Sequence, residues 1–140
     1  MISIDEFFEQ YEWVAEEVEP GVWRSTFTTE REEEFDIYVM TGDEWVHFAV
    51  SPLAHIGEVE HRERLYGALL RLNQQMRMVR LGLDDEGDLN LVADAPLERF
   101  DFGDFALIVD LLTEYADALA GEVRRSVNDA KYYSPLLVMP

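Results

Sequence analysis

The chain has 140 residues, 30 of them acidic against 11 basic, for a formal net charge of −19, and it contains no cysteine. Such a field repels nucleic acid and anionic lipid, whose phosphates need clustered Lys or Arg, and the missing cysteines exclude disulfides and thiolate metal sites. With 48% hydrophobic residues, eight Phe and three Trp, the composition is that of a folded domain rather than a disordered chain. The acidity is uneven. Residues 1–63 hold 17 acids against Arg24, Arg31 and Arg62, a balance of −14, and the remainder carries −5. No apolar run approaches the roughly 20 residues of a membrane-spanning helix, and the N-terminus lacks the basic flank and apolar core of an export signal. A cytoplasmic protein is the expectation.

A first helix is predicted from Ser3. Ser3 and Glu6 fit a capping box, and Ile2 with Phe7 fits the hydrophobic staple that accompanies it. Phe7, Tyr11, Val14 and Val18 continue one apolar stripe, and Glu19-Pro20-Gly21 ends it. Three strands are predicted next: Val22 to Thr28, Phe35 to Met40, and Trp45 to Val50, closed by Ser51-Pro52. The tip between the first two, Thr29 to Glu34, holds four carboxylates that repel unless a cation sits among them.

The centre of the chain is the most regular. Leu65, Leu69, Leu72 and Met76 recur at helical spacing. The period then changes to two: Val79, Leu81 and Leu83 alternate outward, Asp85-Glu86-Gly87 turns, and Leu89, Leu91 and Ala93 alternate back. Asn73, at the end of the helix, is placed to bond loose backbone groups near that turn; a binding role is the alternative. A last helix starts at Asp101, with Asp104 completing the cap and Phe100 with Phe105 as staple. It buries Phe105, Ile108, Val109, Leu112, Tyr115, Ala116 and Leu119. Gly121 is a plausible stop, although Val123, Val127 and Ala130 extend the pattern. The fold class is α+β: a five-stranded antiparallel sheet with flanking helices, in the order α-β-β-β-α-β-β-α. Leu69, Leu81, Phe48 and Leu112 are the predicted centre of the core.

Nothing in the sequence assembles a reactive constellation. No serine lies in a Gly-x-Ser-x-Gly elbow, and Ser51 before Pro52 reads as a turn hydroxyl. His47, His55 and His61 are spaced by eight and six residues, so no two imidazoles share a helical face for a metal. The acidic stretch Asp84-Asp85-Glu86-Gly87-Asp88 departs from the EF-hand pattern, which wants glycine at position six where Leu89 stands. No catalytic, metal or cofactor residue is assigned. A small enzyme using dispersed carboxylates and a purely structural assembly subunit stay open as alternatives.

Leu72-Asn73 closing a helix, the Leu81 to Leu91 hairpin turning on Asp85-Glu86-Gly87, and Asp94-x-Pro96-Leu97 before the last helix resemble the YbjN-like family, which shares the fold of the type III secretion chaperones. The resemblance covers about residues 1–120, so a domain at 1–121 followed by an extension at 122–140 is expected. It implies a non-catalytic protein-binding module, chaperone-like or regulatory, often dimeric, that takes protein partners or an extended peptide segment and needs no cofactor. By the same resemblance a homodimer pairs through Leu65 to Leu91. Tyr66 and Leu70 lie off the core stripe of their helix and are free for such a surface. The tail Tyr132 to Pro140 is uncharged, and with Leu136, Leu137, Val138 and Met139 it is expected to dock on its own domain or on a neighbour.

Overall fold

The computed structural model describes residues 3–136. The elements are α1 (Ile4–Gln10), β1 (Glu16–Glu19), β2 (Val22–Thr28), β3 (Glu34–Thr41), β4 (Trp45–His55), α2 (Arg62–Asn73), β5 (Arg80–Leu83), β6 (Asp88–Pro96) and α3 (Phe102–Asn128). All strand pairs are antiparallel, and the sheet order is β1-β2-β3-β4-β6-β5. The helices cover one face. Every second side chain along the strands enters the core: Trp23 and Phe27, Ile37 and Val39, Val46, Phe48 and Val50, Leu89, Leu91 and Ala93. The alternate set, including Arg24, Thr26, Tyr38, Met40, His47 and Asp94, forms the uncovered face.

Four expectations are corrected. The sheet has six strands, not five, because the first helix ends at Gln10 rather than near Val18. Glu12 reverses the chain at φ 65, and residues 16–19 form the extra edge strand against β2. Val14 is 91% exposed, so the supposed stripe past Tyr11 is no helical face. Second, the strand through Phe48 does not stop at Pro52. It runs to His55, with the register broken between Val50 and Ala54, which lets a central strand hold a residue that lacks an N–H. Third, Met76 lies beyond the end of α2 at Asn73, partly buried against the core. Fourth, Gly121 does not stop α3, which continues to Asn128 because Ala120 and Val123 are buried. The helix therefore crosses residue 121 without a break.

Both N-caps stand where the sequence places them, but at α1 only the Ser3 half of the expected box is formed among the described residues. Ser3 Oγ accepts the Glu6 amide at 3.3 Å. The box on α3 is reciprocal: the Asp104 amide donates to Asp101 at 2.9 Å, and the Asp101 amide to Asp104 at 3.1 Å. Ile2 lies outside the described residues. Phe100 and Phe105 both pack on Phe7 and on Phe48, with ring centroids 5.6–6.0 Å apart. Cations do sit at the acidic 29–34 tip. The Arg31 amide donates to Asp117 at 3.3 Å, its guanidinium pairs with the same carboxylate at 3.6 Å, and Arg124 pairs with Glu33.

Leu69, Leu81, Phe48 and Leu112 all belong to one buried cluster. Replacing Leu69 by Ala removes a buried side chain beneath α2 and is expected to cost about 2–5 kcal/mol, measured by urea melts of parent and variant.

Candidate functional site

The feature with the character of a binding site is a groove between α2 and β5. It has a volume of about 220 Å³ and is lined mainly by Ile56, Tyr66, Leu69, Leu70, Leu81 and Leu83. Its origin is geometric. Leu65, Leu69 and Leu72 turn inward to the core, Leu70 points away from it, and Tyr66 between them is half-buried with its ring packed against the edge of the core. On the neighbouring strand Leu81 turns inward and Leu83, at the strand end, stays 48% exposed. Leu70 is 67% exposed. Of the residues predicted for a protein-binding or dimer surface, Tyr66 and Leu70 share this groove. Leu136 lies elsewhere, on the tail, and Leu137, Val138 and Met139 are outside the described residues. Leu83 and Ile56 complete the groove and were not singled out from sequence. Leu83 had a signal, its period-two spacing from Leu81, but nothing local brings Ile56 beside α2.

Asn73 closes one end of the groove. Its Oδ1 accepts the Leu81 amide at 2.7 Å, and its Nδ2 donates to the Leu81 carbonyl at 3.2 Å. A single side chain thus occupies both outward backbone groups of Leu81, as a neighbouring strand would. β5 is an outer strand of the sheet. Asn73 therefore blocks this edge at its centre against strand addition.

The hairpin tip beyond the groove is held by Asp84, whose Oδ1 accepts the amides of Glu86 at 2.9 Å and Asp88 at 3.0 Å. The Asp88 amide leads in holding its carboxyl below the usual range, with Asn90 and the Glu86 amide adding to it. Gly87, at φ 83, approaches Gly57 so closely that a Cβ would lie 3.2 Å from the Gly57 Cα, and its carbonyl accepts the amides of Ile56 and Gly57. Within this acidic stretch Asp84 spends its carboxylate on its own turn, and Asp88 pairs with His55.

The three histidines are dispersed. His47 Nδ1 lies 2.5 Å from Asp94 on the uncovered face, where Arg80 also donates to Asp94 at 2.7 Å. His55 lies 2.7 Å from Asp88, and His61 lies 2.7 Å from the Ser126 carbonyl, joining α2 to α3. Among the described residues no three His, Asp or Glu side chains are grouped to hold a metal. Partial burial raises the Asp94 carboxyl, but the bonds from His47 and Arg80 outweigh it and hold it below the usual range.

Two predictions follow from these contacts. Asn73→Ala leaves both Leu81 backbone groups without their partner, and the expected loss is about 1–3 kcal/mol in urea melts. A lowered folded pKa at Asp94 gives stability that is complete above the unfolded value, about 3.9, and is lost as pH falls through the folded one. The stability lead of the parent over Asp94→Asn is therefore expected to hold from pH 7 to pH 5 and to shrink below pH 4, read from urea midpoints across that range.

No curated protein sequence matches the chain at a significant level. Solved structures do. A chain of the heterodimeric ExoU–SpcU complex from the type III secretion system of Pseudomonas aeruginosa is similar at TM-score 0.59 and 20% identity, covering 85% of this chain and 96% of that one. YbjN from E. coli is similar at TM-score 0.60 and 13% identity, covering 88% and 90%. A chain of the ExsC–ExsE complex is similar at TM-score 0.57 and 13% identity, covering 82% and 88%. The fold is thus the α+β fold of the type III secretion chaperones. Residues 3–125 match the model of the YbjN family, described as "Putative bacterial sensory transduction regulator". The chain belongs to the YbjN family.

Proposed function

We propose that this chain is a non-catalytic protein-binding module, chaperone-like or regulatory, that works in the bacterial cytoplasm as a homodimer. The observation that carries the reading is the α2–β5 groove, where Tyr66, Leu70 and Leu83 present apolar surface beside a blocked strand edge. Three of the similar structures are complexes in which a chain of this fold meets another protein: ExoU–SpcU, HopA1–SchA and ExsC–ExsE. None of the described helices is long and apolar enough to cross a membrane.

Charge supports a second copy at the groove. Residues 61–80 hold Arg62, Arg64, Arg71, Arg77 and Arg80 against Glu63, a balance of +4 in a chain of −19. The hairpin that follows holds Asp84, Asp85, Glu86 and Asp88. β5 runs back along α2, so the acidic tip lies toward the start of the helix and Arg77 just past its end. A twofold axis across Leu70 sets the acidic tip of one copy toward Arg77 of the other, the self-complementarity that such symmetry requires.

Light scattering at tens of micromolar protein and moderate salt tests this. The expected mass is twice the 16.3 kDa of the chain, and Leu70→Asp is expected to return it to one copy while leaving the circular dichroism unchanged. A parent that stays at one copy overturns the homodimer. For the binding module, a photo-crosslinker at position 70 is expected to capture the second copy or an apolar segment of a cytoplasmic protein; labelling no different from that of an exposed control position such as Glu98 overturns it.

A further inference from the structure

After α3 the chain turns at Asp129, whose Oδ1 accepts the Lys131 amide at 3.0 Å and whose carbonyl accepts the Tyr132 amide at 3.1 Å. Residues 132–136 then lie across the seam between α3 and α2. The Tyr132 ring sits under the Arg125 guanidinium, 3.9 Å from its centroid, and its hydroxyl donates to Glu122 at 2.6 Å. The Tyr133 ring sits under Arg64 on α2 at 4.5 Å. Ser134 is buried to 1% exposure, and its Oγ accepts the Leu136 amide at 3.1 Å. Beneath the strap is an incompletely filled cavity of about 140 Å³, lined by Leu65, Ala68, Arg71 and Ser126. Ser126 is itself buried, and among the described residues its Oγ has no hydrogen-bond partner.

These contacts are those of a bound ligand rather than of a core segment. A core segment buries its largest side chains, whereas Tyr133 is 63% and Leu136 41% exposed. The strap is held by two guanidinium–ring contacts at the surface and one phenol–carboxylate bond. Contacts of that kind are individually weak, and the cavity below leaves packing incomplete. Arg64 and Arg125 also make no ion pair among the described residues, so each presents its flat face to a ring.

We propose that the α2–α3 seam is a second docking surface, one that takes an extended segment with two adjacent tyrosines, and that residues 129–136 occupy it in cis as the competitor of such a partner. This rests on the protein-binding reading above and gives it a partner chemistry and a regulator. Arg64 and Arg125 supply the two ring seats, Glu122 reads the first hydroxyl, and the strap must lift before a partner enters.

The probe is a fluorescein-labelled peptide with the sequence Asp129 to Leu136, titrated by anisotropy into the full chain and into the full chain carrying Tyr132→Ala and Tyr133→Ala. If the strap fills the seam nine-tenths of the time or more, emptying it is expected to tighten peptide binding about tenfold or more. Adding Arg64→Ala and Arg125→Ala to that variant is expected to abolish the gain. Equal peptide affinity for parent and folded double variant overturns the proposal, as does a gain that survives loss of both arginines. Hydrogen exchange on the unaltered chain decides the matter if the double variant does not fold. The Tyr132 and Leu136 amides are expected to exchange at least about a hundredfold faster than those at Val109 and Leu112, and exchange at the α3 rate means that the tail is core. Failure here, with Leu70-dependent association and crosslinking intact, removes the strap and leaves the binding module standing.

Discussion

The contact between Phe48 on β4 and Phe105 on α3, with ring centroids 5.8 Å apart, sets the geometry of the rest. Phe48 lies on a central strand whose inward side chains Val46, Phe48 and Val50 are fully buried. Phe105 is the fourth residue of α3, just after a reciprocal cap fixes where that helix begins. Four further rings reach it: Phe7 and Phe8 from α1, Tyr11 at the cap of that helix, and Phe102 from α3 itself, so the short first helix is held by aromatic contact rather than by its own length. A helix of seven residues is marginal alone. The Tyr11 hydroxyl donates to Asp110 and the Trp23 indole N–H donates to Asp5, which ties both ends of the first helix to the sandwich.

Because α3 packs over the central strands of the sheet, α2 is left to cover the β5 side. It turns one stripe of leucines inward and keeps both flanks available. One flank meets β5 and forms the apolar groove; the other meets α3 and carries the strap. Asn73 at the end of α2 and His61 just before its start fix its two ends, to Leu81 and to Ser126. The helix that offers surface on both flanks is thus itself held at both ends, the arrangement that a rigid recognition element needs.

Elements with a buried face were legible in the sequence, and elements without one were not. Leu65, Leu69, Leu72, the Val79 to Ala93 hairpin and the Asp101 cap each report burial or a terminal hydrogen bond through side-chain type, and the structure places them as read. Strand β1 has no such signature: all four of its residues are exposed, and the run Glu-Glu-Val-Glu carries no alternation. Pro52 and Gly121 misled for the opposite reason. Each is a local breaker that tertiary packing overrides: Pro52 at a register irregularity, and Gly121 because a helix cost of about 1 kcal/mol is smaller than the roughly 1.5–3 kcal/mol gained by burying Val123. The site divides the same way. Tyr66 and Leu70 follow from the helical period, while the seats for Tyr132 and Tyr133 depend on Arg125 and Arg64, and only the fold brings Arg64 to the tail.

The blocked β5 edge bears on what kind of partner the groove receives. An exposed edge strand beside an apolar groove ordinarily invites an added strand, with main-chain bonds supplying affinity and alternate side chains supplying specificity. Here the outward amide and carbonyl of Leu81 are already taken by Asn73, and β5 is only four residues long. A strand laid on this edge would have to displace that side chain and would gain few ladder bonds in return. Side chains are not so limited, since Tyr66, Leu70 and Leu83 offer contact without asking for backbone pairing. In the homodimer proposed above, the groove is therefore filled by apolar side chains projecting from α2 of the second copy, without main-chain pairing. Asn73 thus sets the two flanks of one helix apart: on one the main chain of β5 is unavailable, while the other carries the Tyr132 and Tyr133 ring contacts.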